Sequence, residues 1–129
     1  MRECLISIII PARNERRLIG RTLDSVLRAA QRIDNDEYEV IVVDNASADG
    51  TWAILKEYTK QPSVRTYKLA CRGAARARNF GRRQACGQIL VFLDADTHIP
   101  DDALAIGRQR DRATIFSLAG RRTRRFRES

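Results

Sequence analysis

Four short apolar runs punctuate the chain, spaced so that one helix fits between each successive pair. Leu5-Ile6-Ser7-Ile8-Ile9-Ile10 is β-branched and stopped by Pro11, the pattern of a strand buried on both faces. Tyr38 to Val43 repeats it, and Ile89 to Leu93 is its clearest instance. Val64 to Leu69 reads as a further strand, although it alternates polar and apolar positions. From Glu15 to Gln31 the helical period places Leu18, Ile19, Thr22, Val26, Leu27 and Ala30 on one stripe, with arginines opposite. A second helix, capped by Asp49 or Thr51, runs to about Lys60 before Pro62. The Ala- and Arg-rich text from Gly73 to Ala85 predicts a third. Asp101-Asp102 opens a fourth, expected to reach Arg112, because carboxylates suit the positive end of a helix dipole.

The order βαβαβαβα with short connections predicts a three-layer α/β/α, Rossmann-like domain with a mostly parallel sheet. In such sheets ligands bind beyond the carboxyl ends of the strands. The loops at those ends are Pro11–Glu15, Asp44–Gly50, Ala70–Arg72 and Asp94–Pro100, and polar residues concentrate in them.

A length of 129 residues fits one domain that buries roughly two-thirds of its unfolded surface. With 43% apolar and 31% charged residues, wholesale disorder is excluded. Leu5–Ile10 is too short for a signal-peptide core, and no segment approaches the ~20 apolar residues of a membrane span. The expected location is cytoplasmic. Cys4, Cys71 and Cys86 lack metal-ligand spacing and read as small buried hydrophobes, without a disulfide or zinc framework.

The net charge of +8 invites a nucleic-acid reading, but its distribution weakens that inference. Of 24 basic residues 21 are Arg, and residues 101–129 carry +4, half of the excess. Ile115 to Gly120 could begin another strand, whereas Arg121 to Arg127 reads as a solvated basic tail. The domain is therefore placed at 1–112 and the tail at 113–129, with nucleic acid disfavoured as a partner.

Three constellations carry candidate chemistry. Asp94-Ala95-Asp96 directly follows a buried strand at the ligand edge, where two carboxylates can approach one hard cation such as Mg²⁺ or Mn²⁺. The alternative is a pair of turn or cap acids. Asp44 ends the second strand, placed to accept hydrogen bonds from a ribose or base; Asn45, Ser47 and Asp49 also suit a turn and a helix cap. From Arg65 to Arg83 there are seven basic residues and no acid. There, Gly73 and the alanines would let a helix N-terminus approach an anion, and Arg78 could pair a phosphate bidentately. No GxGxxG or Walker lysine motif is present, which argues against a dinucleotide dehydrogenase or P-loop enzyme. His98 reads as a surface or capping residue. Trp52 and Tyr58 read as helix–sheet packing.

In order and spacing, Ser7–Glu15, Val42–Thr51, Arg72-Gly73 through Arg78-Asn79, and Phe92–Asp96 resemble the nucleotide-diphospho-sugar glycosyltransferases of family 2, which have the GT-A fold. The resemblance covers residues 5 to about 106. It implies that Pro11, Ala12 and Glu15 line the nucleotide site, and that Asp44 binds the base, commonly uracil. Arg78 would lie near the diphosphate, Asp94 would face ribose and metal, and Asp96 would be the main metal ligand. The implied reaction is transfer of a sugar from a UDP-linked donor to a saccharide or lipid-linked acceptor hydroxyl, metal-dependent and inverting. A lipid-linked acceptor would add the inner face of the membrane to the cytoplasmic setting. Family members continue for roughly as many residues again, supplying an acceptor site and a catalytic base. Neither Asp111 nor Glu128 sits in a recognisable base motif, so the expectation is a GT-A domain truncated or frameshifted at its carboxyl end, with no catalytic residue assigned. The alternatives are a noncatalytic nucleotide-sugar or nucleic-acid binding module, and a homodimer in which a second copy covers an open sheet edge.

Overall fold

The apolar runs become the centre of one twisted sheet because neither face of them tolerates water. In the computed structural model, which describes residues 4–107, 115–119 and 122–126, β1 (Ile6–Ala12) lies between β2 (Tyr38–Asn45) and β4 (Ile89–Leu93), with β3 (Val64–Leu69) outside β2. Beyond β4 come β5 (Ile115–Ala119) and β6 (Arg122–Phe126), giving the order β3-β2-β1-β4-β5-β6. All neighbours are parallel except β5 and β6.

Helices α1 (Ile19–Ala30), α2 (Thr51–Tyr58) and α4 (Ala103–Gly107) belong to one face. Alternation along the strands selects what they cover: Ile8 and Ile10 of β1, Val40 and Val42 of β2, and Val91 and Leu93 of β4 join Ile19, Leu23, Val26, Leu55 and Leu104 in one core. Ile41 and Val43 point the other way and meet Ala77 of α3 (Ala74–Gln84), with Tyr67 and Phe80 edge-to-face beside them. Gly81 brings α3 close to the sheet, since a Cβ there would stand 2.5 Å from Ile9 Cγ2.

Several boundaries differ from the sequence expectation. β1 runs through Pro11 to Ala12, which is tolerated because its pairing with β4 ends at Ile9 and only β2 continues alongside. α1 starts at Ile19, and Leu18 is 37% exposed; Leu23, Ser25 and Ala29 complete its buried stripe. Tyr58 does not simply pack: its hydroxyl bonds Asp24 and the Gly20 carbonyl, tying α2 to α1. Trp52 is half-buried with the Lys68 ammonium 5.8 Å from its ring centroid. Only Cys4 is buried as expected, whereas Cys71, in the loop between β3 and α3, and Cys86, in the loop between α3 and β4, are exposed.

The largest difference is at the carboxyl end. Arg122–Phe126, read as solvated tail, pairs antiparallel with β5, and β5 pairs with β4. Strand pairing is made by backbone groups, so arginine-rich text can be added at a sheet edge whose faces need not be buried. The edge beyond β4, whose expected exposure motivated the dimer reading, thus carries two strands of the same chain. The expected domain boundary at 112/113 and the extension of the fourth helix to Arg112 lie outside the described residues. No helix among the described residues is long and apolar enough to cross a membrane.

Candidate functional site

The strand order reverses between β1 and β4, so their following loops part and leave a cleft at the carboxyl edge. The cleft, of about 310 Å³, is lined by Pro11, Ala12, Arg13, Glu15, Asn45, Ala74, Arg78, Asp94, Ala95 and Asp96. Six of the seven residues singled out from sequence therefore converge on it: Pro11, Ala12, Glu15, Arg78, Asp94 and Asp96. Asp44 is not among its walls. It is fully buried at the end of β2, one residue before Asn45.

Local architecture explains how each wall is held. Asn14 takes a left-handed conformation (φ 52°), and its Oδ1 accepts from Ala48 N at 2.8 Å while its own N–H donates to Ser47 Oγ at 2.9 Å. Glu15 N donates to Thr51 Oγ1 at 3.0 Å and Arg16 N to Asp49 Oδ2 at 3.2 Å. The loop after β1 is thereby laced to the loop after β2. Asp49 Oδ1 also accepts from Thr51 N at 3.1 Å, but the N-cap of α2 is Gly50, in a left-handed conformation, rather than the expected Asp49 or Thr51, because the turn after β2 carries Asp49 one residue outside the helix.

The acidic loop is fastened from below. Thr22 Oγ1 of α1 donates to the Ala95 carbonyl at 2.7 Å, and Ile99 N donates to Ser25 Oγ at 3.1 Å. Ala95 is buried and packs into the main core, while Asp94 beside it is half-buried and Asp96 is exposed. Neither aspartate, nor Arg78, forms an ion pair with a described residue. Burial and the negative charges of Asp96, Asp49 and Asp94 raise the pKa of Glu15 above its ordinary value. That rise marks a concentration of negative charge that a cation would relieve. Two carboxylates one residue apart are hard oxygen donors, and this donor set fits Mg²⁺ or Mn²⁺.

Asp44 Oδ1 accepts from Ser47 N at 3.2 Å, but its Oδ2 is buried without a hydrogen-bond partner. An unpaired buried acceptor of this kind is costly and stands ready for a donor. Sequence reading missed Arg13, Asn45 and Ala74. Asn45 Oδ1 accepts from Gly73 N at 2.8 Å, fixing the entry to α3 and so the position of Arg78 four residues into that helix. The signal available for Asn45 was its place directly after Asp44, which also suited an ordinary turn. His98 is exposed and does not line the cleft.

The parallel sheet with helices on both faces is the α/β architecture of the GT-A glycosyltransferases, which its structural neighbours share. Residues 7–110 match the family described as Glycosyl transferase family 2, and the chain belongs to that family. Among its relatives, the uncharacterized glycosyltransferase YfnE of Bacillus subtilis (strain 168) is 39% identical over 100 residues, covering 77% of this chain and 25% of the relative. The structure resembles that of Staphylococcus aureus TarS 1-349 in complex with UDP-GlcNAc, with a TM-score of 0.72, 31% identity, and 79% of this chain matched to 29% of that one. It also resembles the mannosyltransferase PcManGT from Pyrobaculum calidifontis in complex with GDP-Man and Mn²⁺, with a TM-score of 0.73, 34% identity, and 82% of this chain matched to 32% of that one. The chain thus spans about a quarter to a third of these proteins.

Proposed function

We propose that the chain binds a UDP-linked sugar in the cleft and serves sugar transfer to an acceptor hydroxyl, with Mg²⁺ or Mn²⁺ and with inversion. The observation that carries this reading is the convergence of Glu15, Asp94, Asp96 and Arg78, from three separate segments, on one cleft at the strand switch point. Asp44, paired in register with Ala12 of the cleft wall, has an unpartnered Oδ2 that would accept from a ring N–H of the base once its side chain turns toward the cleft. Pro11 and Ala12 form the wall beside it, and Arg78 takes a phosphate oxygen. Asp96 and Asp94 would hold the cation, which would supply positive charge to offset the diphosphate as a leaving group. The likeness to proteins solved with UDP-GlcNAc and with GDP-Man and Mn²⁺ supports a nucleotide-sugar donor and a divalent cation. The acceptor class is a saccharide or lipid-linked hydroxyl, the latter at the cytoplasmic face of a membrane.

Calorimetric titration with UDP, with and without Mn²⁺, tests the donor site. We expect metal-dependent binding that Asp96→Ala abolishes. Binding unchanged in Asp96→Ala, or no binding at any Mn²⁺ concentration, overturns the reading.

A further inference from the structure

At the amino ends of the strands, opposite the cleft, Cys4 Sγ, Cys86 Sγ and a Glu39 carboxylate oxygen lie within 4.8 Å of one another. Cys4 precedes β1 and is buried, Cys86 precedes β4 and is exposed, and Glu39 is at the start of β2. Donor binding uses none of them.

The backbone around the two sulfurs is already clasped. Cys86 N donates to Glu39 Oε2 at 2.7 Å, Gly87 N to Ser7 Oγ at 2.8 Å, and Ser7 Oγ to Glu39 Oε2 at 2.6 Å. Gln88 N and Ile89 N both donate to the Leu5 carbonyl at 2.9 Å. Gly87 has no room for a side chain, since a Cβ would meet Ser7 N at 2.6 Å. The two thiols are thus held as neighbours by the backbone around them, and Cys4 Sγ itself donates to the Ile6 carbonyl at 3.2 Å.

From this juxtaposition we propose that Cys4 and Cys86 form an oxidative modification site that closes to an intramolecular disulfide, with hydrogen peroxide as the oxidant. Cys86 is the sulfur that solvent reaches. As its thiolate it attacks one peroxide oxygen; the O–O bond breaks, and hydroxide leaves and takes up a proton as water. The resulting sulfenic acid is then attacked by Cys4 Sγ. The S–S bond forms, the S–O bond breaks, and the second hydroxide leaves as water with the Cys4 proton. Two thiols and one peroxide give one disulfide and two waters. Closing to a bond of about 2.05 Å requires rotation at Cys86, whose exposed side chain has the space.

A cation is the other chemistry this cluster could serve, and the local charges oppose it. Glu39 already accepts from Arg65, Ser7 and the Cys86 amide, so a guanidinium occupies the counter-ion position.

The test uses the full chain in a Cys71→Ser background, treated with hydrogen peroxide and followed by intact mass and by peptide mapping without reductant. We expect loss of the mass of two hydrogens, a Cys4–Cys86 linked peptide, a raised Tm that reductant reverses, and no cross-link in Cys4→Ser or Cys86→Ser. Should Cys4→Ser fail to fold, Cys4→Ala and Cys86→Ala replace it, with folding checked by circular dichroism. Oxygen added at Cys86 without a cross-link, or linkage only between copies, overturns the proposal. So does zinc retained by the reduced protein and lost in Cys86→Ser, which would make the cluster a cation site.

Discussion

Thr22 Oγ1, in the first turn of α1, donates a buried 2.7 Å hydrogen bond to the carbonyl of Ala95, the residue between the two cleft aspartates. The helix core and the acidic loop are therefore one mechanical unit, and the loop's geometry is set by a residue 73 positions away in sequence. Thr22→Val keeps the shape and leaves a buried carbonyl unpaired, a loss of about 1–3 kcal/mol. Urea unfolding should show that loss, and Mn²⁺-dependent UDP affinity should fall with it. Unchanged affinity would mean that the loop holds its form without α1.

Asp44 offers a separation of stability from binding. Its Oδ2 is buried and unpartnered, so replacing the carboxylate with an amide relieves an unfavourable burial. Asp44→Asn should leave the ligand-free Tm unchanged or higher. It should weaken UDP binding about tenfold or more, because a lost charge-assisted hydrogen bond is worth about 1.5–3 kcal/mol. Thermal scans with and without nucleotide read both effects in one experiment.

Glu39 predicts acid sensitivity of known sign. Burial pushes its pKa up, but hydrogen bonds from Ser7 Oγ, the Cys86 amide and Arg65 outweigh that and hold it below the ordinary carboxylate value. A depressed folded-state pKa contributes stability above the unfolded value of about 4.3, and that contribution is lost as pH falls through the folded value. Glu39→Gln should therefore be less stable than the parent at pH 7, by about 1–3 kcal/mol, with the difference shrinking in acid. A difference independent of pH between 7 and 3 would contradict it.

Gly81 and Gly107 form a matched pair. A Cβ at Gly81 would strike Ile9 Cγ2 at 2.5 Å, while nothing lies within 4 Å of one at Gly107. Gly81→Ala should destabilise by about 1–3 kcal/mol, the usual effect of overpacking a core. Gly107→Ala should be neutral or slightly stabilising. Chemical denaturation of both variants is sufficient.

Much of this was legible along the chain. The β-branched runs at Ile6–Ile10, Val40–Val43 and Ile89–Leu93 could satisfy neither a helix period nor a half-exposed strand, so a buried parallel sheet followed from them directly. With the sheet came its carboxyl edge, and with that edge the roles offered to Asp94, Asp96 and Glu15. Residues whose importance lies in what they touch across the fold were invisible to such reading. Asn45 looked like a turn residue until its Oδ1 met Gly73 N, and Glu39 looked like a polar position in a strand until Ser7, Arg65 and Cys86 closed around it. Arg122–Phe126 looked unfit for a sheet because composition speaks of faces, and it joins β5 through its backbone at an edge.

Periodicity and turn chemistry are local, so the sequence by itself determined the element order, the sheet's burial and the loops that carry the acids. Which side chains meet was decided by the tertiary structure alone: Thr22 under Ala95, Asn14 against Ala48, and Cys4 beside Cys86 each join segments more than 30 residues apart. Contacts of that range depend on how helices seat on a twisted sheet, a property of the assembled layers that no stretch of chain contains.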